Sequence, residues 1–165
     1  MRVEAANKTD IEYVARRMRP ADYAEFSAVY GIRDRDALVD KLVDTWSKVS
    51  SPILASMPDE PIAVGGVFIG RQGVGTLYMA ATERLPVIGL PLTRFIRHRL
   101  LPQVRSAGVH RIDCLSISTH LDSHRWLESL GLVREAELRG FGCFGEDFVS
   151  FSWVSHDVRK VGDRG

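Results

Sequence analysis

A histidine, a loop carboxylate and a helix entry with one glycine are the residues of this chain best placed to do chemistry. His120 follows a β-like run at 110–118 and precedes a short amphipathic helix. Imidazole titrates near neutrality, so at a strand end it can act as a base or a hydrogen-bonding group. Its plainer role is to cap the next helix beside Asp122. His124, one helical turn on, has the spacing of a surface or capping residue. Glu83 lies just after another β-like run. It becomes a base for neutral pH only where burial raises its pKa; otherwise it is a solvated glutamate. Cys114 and Cys143 sit in apolar β-like runs and read as buried thiols rather than a disulfide or a nucleophile. The segment GRQGVG at 70–75 has the glycines of a nucleotide loop, but it falls in a hairpin turn. No spacing of the CxxC or HExxH type suggests a metal, and neither a GxSxG elbow nor a Walker loop is present.

Size and charge narrow the function classes. A chain of 165 residues predicts one domain, 1–154, followed by a polar tail at 155–165. Such a chain buries about 68–70% of its unfolded surface and needs no staples. With 45% hydrophobic and 26% charged residues the composition is that of a globular protein. A net charge of +1 gives no general attraction for nucleic acid or an anionic membrane. The arginines between 94 and 105 lack interleaved exposed aromatics, and acidic residues elsewhere balance them. No apolar run reaches membrane length, and the first residues, MRVEAANKTD, carry no apolar signal region, so a cytoplasmic protein is expected.

The elements that must position these residues follow from periodicity. Residues 3–6 form a short strand, and Thr9 with Glu12 has the capping-box spacing for a helix bearing Ile11, Val14, Ala15 and Met18. Pro20 ends or kinks that helix, and a second spans 21–30 up to Gly31. Asp34 or Asp36 caps a third, with the stripe Leu38, Leu42, Val43, Trp46 and Val49. The period then changes to two: strands at 52–57, 62–69 (interrupted at Gly65-Gly66) and 75–82 form a meander with turns at 58–61 and 70–73. An irregular piece at 83–90 leads to an amphipathic helix from Pro91 to about Ser106, bent by Pro102. The strand at 110–118, a helix at 122–130 and a hairpin of 135–143 with 148–153 complete the order. One crossover joins the meander to the fifth strand and should be right-handed. The fold class is α+β, with a mostly antiparallel central sheet flanked by helices.

The stretch ISTHLDSHRWLESLGL at 117–132, closing on Leu130-Gly131-Leu132, resembles the fifth strand and fourth helix of the GNAT N-acyltransferase superfamily. The resemblance implies a sheet splayed between its fourth and fifth strands, holding acetyl-CoA or CoA in the gap. The family's loop Q/R-x-x-G-x-G/A is matched by RLPVIGLPLT at 84–93, where Arg84 leads and one glycine, Gly89, remains. By this likeness Ala81 and Thr82 are the pantetheine edge, bound strand-to-strand. Arg84, Ile88, Gly89, Leu90 and Arg94 hold the pyrophosphate, with helix amides and dipole assisting. Glu83 or His120 then deprotonates the acceptor amine. The family's Tyr, which protonates the leaving thiolate, is replaced by Leu127, and its Asn by His120. Leucine cannot donate a proton, which removes a contribution of about 10²–10⁴ from general acid catalysis; Ser116 or Ser118 could substitute.

The chain also resembles a small family of tailed-phage proteins, acetyltransferase-like or internal to the virion. That likeness runs from Ala63-Val64-Gly65-Gly66 through Ile88-Gly89 to His124-Arg125-Trp126-Leu127 and Leu130-Gly131. It implies a phage-encoded protein in the host cytoplasm that acts on or binds a host protein, such as a metabolic enzyme. The alternatives are an inactive GNAT-fold binder of that enzyme and a structural virion component. The sequence leaves acceptor and oligomeric state open.

Overall fold

The computed structural model describes residues 1–48, 52–58 and 60–155. The elements run β1 (Arg2–Ala5), α1 (Lys8–Arg16), α2 (Pro20–Tyr30), α3 (Arg35–Trp46), β2 (Ile53–Met57), β3 (Glu60–Arg71), β4 (Val74–Ala81), α4 (Leu85–Phe95), α5 (Leu101–Ser106), β5 (Arg111–Ile117), α6 (Leu121–Ser129), β6 (Val133–Leu138) and β7 (Phe148–Val154). The strands build one sheet in the order β1-β2-β3-β4-β5-β7-β6. Every neighbouring pair is antiparallel except β4 with β5. The expected tail lies, from residue 156 on, outside the described residues, as do Val49 and Asp59.

Strand alternation sends successive side chains to opposite faces and so makes two cores. On one face Leu54, Val64 and Ala80 pack against Ile11, Val14, Leu38, Leu42 and Trp46 of α1 and α3. On the other, Ala63, Leu77, Ile112 and Phe151 pack against Ile88, Leu92, Ile96, Leu101 and Leu127. The helix stripes read from the sequence supply both layers. Among the described residues no helix is long and apolar enough to cross a membrane, and no group of three or more His, Cys, Asp or Glu gathers to hold a metal.

Several expectations are corrected. The capping box of α1 is Asn7 with Asp10, not Thr9 with Glu12. Asn7 Oδ1 accepts from the Asp10 N–H at 3.1 Å, and Asp10 Oδ2 from the Asn7 N–H at 2.9 Å. Glu12 instead pairs with Arg16 one turn later. The glycine pair does not interrupt β3, because Gly65 lets β4 come close. A Cβ there would lie 2.4 Å from the Tyr78 carbonyl oxygen and 3.0 Å from Met79 Cα. The helix expected at Pro91 begins six residues earlier, at Leu85, with Pro91 inside it. Pro102 lacks an N–H for the turn behind it. The chain widens into a π-helical stretch, Ile96–Leu100, immediately before α5, where the Leu101 N–H reaches back to Ile96 O. The hairpin partner of β7 is β6, which stops at Leu138; the following loop folds onto α2 through Cys143 N–H to Ala28 O at 2.8 Å.

The Gly65 contact is against backbone, which cannot rotate away. Gly65→Val should destabilise the protein by about 3 kcal/mol, the upper range for overpacking a well-packed site. Urea denaturation monitored by far-UV circular dichroism checks this.

Candidate active site

β4 and β5 are hydrogen-bonded only where they begin, with Val74, Gly75 and Thr76 opposite Arg111, Ile112 and Asp113. Thr76 Oγ1 donates to Asp113 Oδ1 at 2.6 Å across that short zip. Beyond it the strands part. Each stays bound to its outer partner, β4 to β3 as far as Ala81 and β5 to β7 as far as Ile117. The gap is a cleft of about 800 Å³, lined by Leu77, Met79, Cys114 and Leu115 of the strands and by residues of α2, α4 and α6.

α2 straddles the two free ends with carboxylates three residues apart, on one helical face. Asp22 Oδ2 accepts the Ala81 N–H at 2.8 Å, and the Arg19 N–H donates to Ala81 O at 2.9 Å. Glu25 Oε2 accepts from the Ile117 N–H and from Ser116 Oγ, both at 2.8 Å. Strand ends that have lost each other thus find partners on a helix, as buried backbone groups must. Asp22 is 4% exposed, and Arg19 Nη2 donates to its Oδ1 at 2.6 Å. Burial is the largest influence on this carboxyl and raises it above its ordinary range, against the lowering by Arg19 and the Ala81 N–H.

His120 stands beside Glu25. Its Nδ1 is buried, lies 3.6 Å from Glu25 Oε2 and has no hydrogen-bond partner. The separation exceeds a hydrogen bond, yet one proton-bearing atom in the cleft can reach both groups. Buried polar nitrogens are rarely left unpaired, which marks His120 as a candidate for catalysis. Glu25 carries no motif, because its role appears only when α2 crosses β5. The Cys114 thiol also lines the cleft; burial, with Glu25 and Asp113 nearby, pushes it up and keeps it protonated. Trp126 Nε1 donates to Thr93 Oγ1 at 2.9 Å, which in turn donates to Gly89 O at 2.7 Å, tying α6 to α4 along the cleft.

The residues expected from the sequence separate into two sets. His120, Glu83 and Gly89 line the cleft together, with Glu83 exposed. Ala81 and Thr82 do not, because the Ala81 backbone is engaged by Arg19 and Asp22 and the Thr82 N–H by Ile62 O. Strand alternation puts the amide of Met79 on the same edge as Ala81, facing the gap beyond the last rung at Thr76 and Asp113, whereas the register engages the Leu77 N–H in that rung. Ile88 is fully buried in the core, and Leu90 points to solvent. Arg84 is exposed and pairs with Glu60 at 3.4 Å, while Arg94 is exposed away from the cleft. The α4 start is poor in free donors: Leu85 N–H goes to Thr82 O, Val87 N–H to Arg84 O, and Pro86 has none. Gly89 has no structural demand for glycine, since an added Cβ meets nothing within 4 Å. A mid-helix glycine costs about 1 kcal/mol relative to alanine, so its use at the cleft is consistent with close approach of a ligand. His124 is buried, not a surface residue; its Nε2 bonds Ile117 O at 3.1 Å and its ring packs on Phe151. Leu127 is 1% exposed, and Ser116 is occupied by Glu25, so neither offers an acid.

Solved structures share this architecture. The chain aligns over 93% of its length with an acetyltransferase from Salmonella typhimurium solved with its cofactor acetyl-CoA, at 17% identity, 93% of that chain and TM-score 0.69. A GNAT-family acetyltransferase from Chromobacterium violaceum aligns over 92% of this chain and 86% of its own, at 14% identity and TM-score 0.70. A ribosomal-protein-alanine N-acetyltransferase from Brucella melitensis aligns over 93% and 99%, at 15% identity and TM-score 0.67. No protein-family model matches the chain, and no curated protein matches it by sequence. The chain has the GNAT fold, with the sheet split between β4 and β5.

Removing Asp22 leaves the Ala81 N–H and the Arg19 guanidinium without their carboxylate. Asp22→Ala should destabilise the protein by about 3–5 kcal/mol, the cost of breaking a buried pair from one side. Equilibrium denaturation of the variant against wild type measures it.

Proposed function

We propose that this chain is an acyl-CoA-dependent N-acetyltransferase that uses His120 as its base. One observation carries the reading: a cleft through the β4–β5 split in which a buried imidazole nitrogen faces a carboxylate and has no partner. The fold neighbours support it, one of them having been solved with acetyl-CoA. Acetyl-CoA would supply a thioester activated toward amines. Met79 offers a strand-like amide to a pantetheine arm, and its N–H is the candidate donor for the acyl oxygen. Gly89 leaves room for the arm beside α4. Anchorage of the pyrophosphate is weak, because the first turn of α4 has few free donors, and Arg84 or Arg94 must swing toward it to supply charge.

An amine must be neutral to attack. His120 takes its proton, and Glu25 orients the ring and stabilises the imidazolium that results. Glu83, exposed at the mouth, is the secondary candidate for this step. With Leu127 in place of an acid, the thiolate departs without side-chain protonation, which predicts slow turnover.

His120→Asn should lower kcat/KM for acetyl transfer by about 10²–10³, while acetyl-CoA binding measured by calorimetry stays within about twofold. Gly89→Glu should do the reverse at the first step, abolishing saturable acetyl-CoA binding without loss of thermal stability. Undiminished turnover in His120→Asn would remove the histidine from the mechanism.

A second reading is favoured by a separate observation. Where the 139–147 loop meets α2, Val29, Phe141 and Phe144 are 39%, 47% and 41% exposed. Exposed apolar clusters of this kind mark protein contacts. With no acid at Leu127, a phage-encoded protein that binds a host enzyme through this patch fits as well. A stoichiometric partner from host lysate that binds wild type, and is lost in a Phe141→Asp, Phe144→Asp double variant of unchanged stability, is the expected outcome; retention by the variant would count against the patch.

A further inference from the structure

The cleft passes through the sheet, and its two sides differ in chemistry. On the α4–α6 side it is bounded by Gly89, Thr93 and Trp126. On the α2–α3 side its wall is aromatic: Phe26, Tyr30, Trp46 and Tyr78. Phe26 and Trp46 meet edge to face with centroids 5.3 Å apart, and Trp46 and Tyr78 lie at 4.9 Å with a tilt of 43°. Phe26, Tyr30 and Tyr78 are only partly buried, so the wall is open to the cleft. Burial pushes the Tyr78 phenol up to about 12, so this wall stays uncharged at neutral pH.

The charges along the cleft favour a cation. Glu25, Glu83 and Asp122 line it as carboxylates, and Asp22 is tied to Arg19, the one lining arginine among the described residues. Aromatic faces pack against aromatic and apolar bodies, edge to face or offset-stacked. An anionic or strongly hydrated acceptor would gain nothing from this wall.

Resting on the acetyltransferase reading, we propose that the acceptor is a small primary amine carrying an aromatic or similarly apolar body. The body lies against Phe26, Tyr30 and Tyr78. The ammonium reaches the gap between His120 Nδ1 and Glu25 Oε2, where a proton donor can serve both. In the transfer the amine nitrogen bonds to the acyl carbon as the carbon–sulfur bond breaks. Of the two protons the ammonium sheds, one leaves through His120 and the other ends on the departing sulfur. Glu25 therefore selects for charge and the aromatic wall for shape. A peptide N-terminus lacks the apolar body and uses only the first of these.

Calorimetric titration of the full chain with 2-phenylethylamine, with its neutral counterpart 2-phenylethanol and with a tetrapeptide beginning in alanine tests this directly. The amine should bind saturably and the alcohol about tenfold more weakly. Phe26→Ala and Glu25→Gln should each weaken amine binding about tenfold, and Glu25→Gln should leave the alcohol unaffected. The amine–alcohol comparison uses wild type alone, so a variant that fails to fold does not disable it. Equal binding of alcohol and amine, or binding of the peptide but not the amine, overturns the proposal. Acetyl-CoA titration alongside separates the two levels. Acetyl-CoA binding without amine selectivity sinks the acceptor assignment alone. Selective amine binding without acetyl-CoA binding supports the pocket and sinks the transferase reading.

Discussion

The structure depends on one constraint: two neighbouring strands that stop pairing after three residues must satisfy their exposed backbone groups elsewhere. β4 and β5 separate beyond Thr76 and Asp113, and α2 supplies the replacement partners through Asp22 and Glu25. A buried N–H without an acceptor costs about 1–3 kcal/mol, so the carboxylates are not ornamental. They keep the split open. Asp22 is consumed in doing so, since Arg19 and Ala81 occupy both of its oxygens. Glu25 binds Ser116 and Ile117 through one oxygen only, and that oxygen also faces His120. The same helix therefore builds the gap and arms it.

This division explains why the architecture survives with altered site chemistry. Leu127 sits in the core and contributes packing, not a proton. The first turn of α4 closes on itself through Thr82, Arg84 and Pro86, in place of amides held open for an anion. What remains for chemistry comes from the strand edge at Met79, from Gly89 and from the His120–Glu25 pair. Under the proposed function, binding would rest more on the middle of a thioester ligand than on its phosphates.

Much of the fold was legible in the sequence because it rests on local periodicity. The stripes of α1 and α3, the meander and the Leu130-Gly131-Leu132 closure all follow from spacing within one element. The split between the fourth and fifth strands came from the likeness of 117–132 to the GNAT superfamily, not from spacing. The failures have long-range causes. Gly65 reads as a break until β4 lies against it. Pro91 reads as a helix start, yet an exposed proline inside a helix that begins at Leu85 is tolerated where the preceding carbonyls can reach water. Ala81 and Thr82 looked like an open edge because nothing local shows that Asp22 and Arg19, about sixty residues earlier, close it. Glu25 was invisible for the same reason: its partners are 91 and 92 residues away.

The most direct measurement of the central claim is the amide spectrum of the labelled protein during titration with acetyl-CoA. The resonances of Met79 and Gly89 should shift saturably and together, as the free edge of the split takes up its ligand. The Ala81 and Ile117 amides, already held by Asp22 and Glu25, should move far less. Saturable shifts at Ala81 and Thr82 with Met79 unmoved, or no saturable shift in the split at all, would contradict this account.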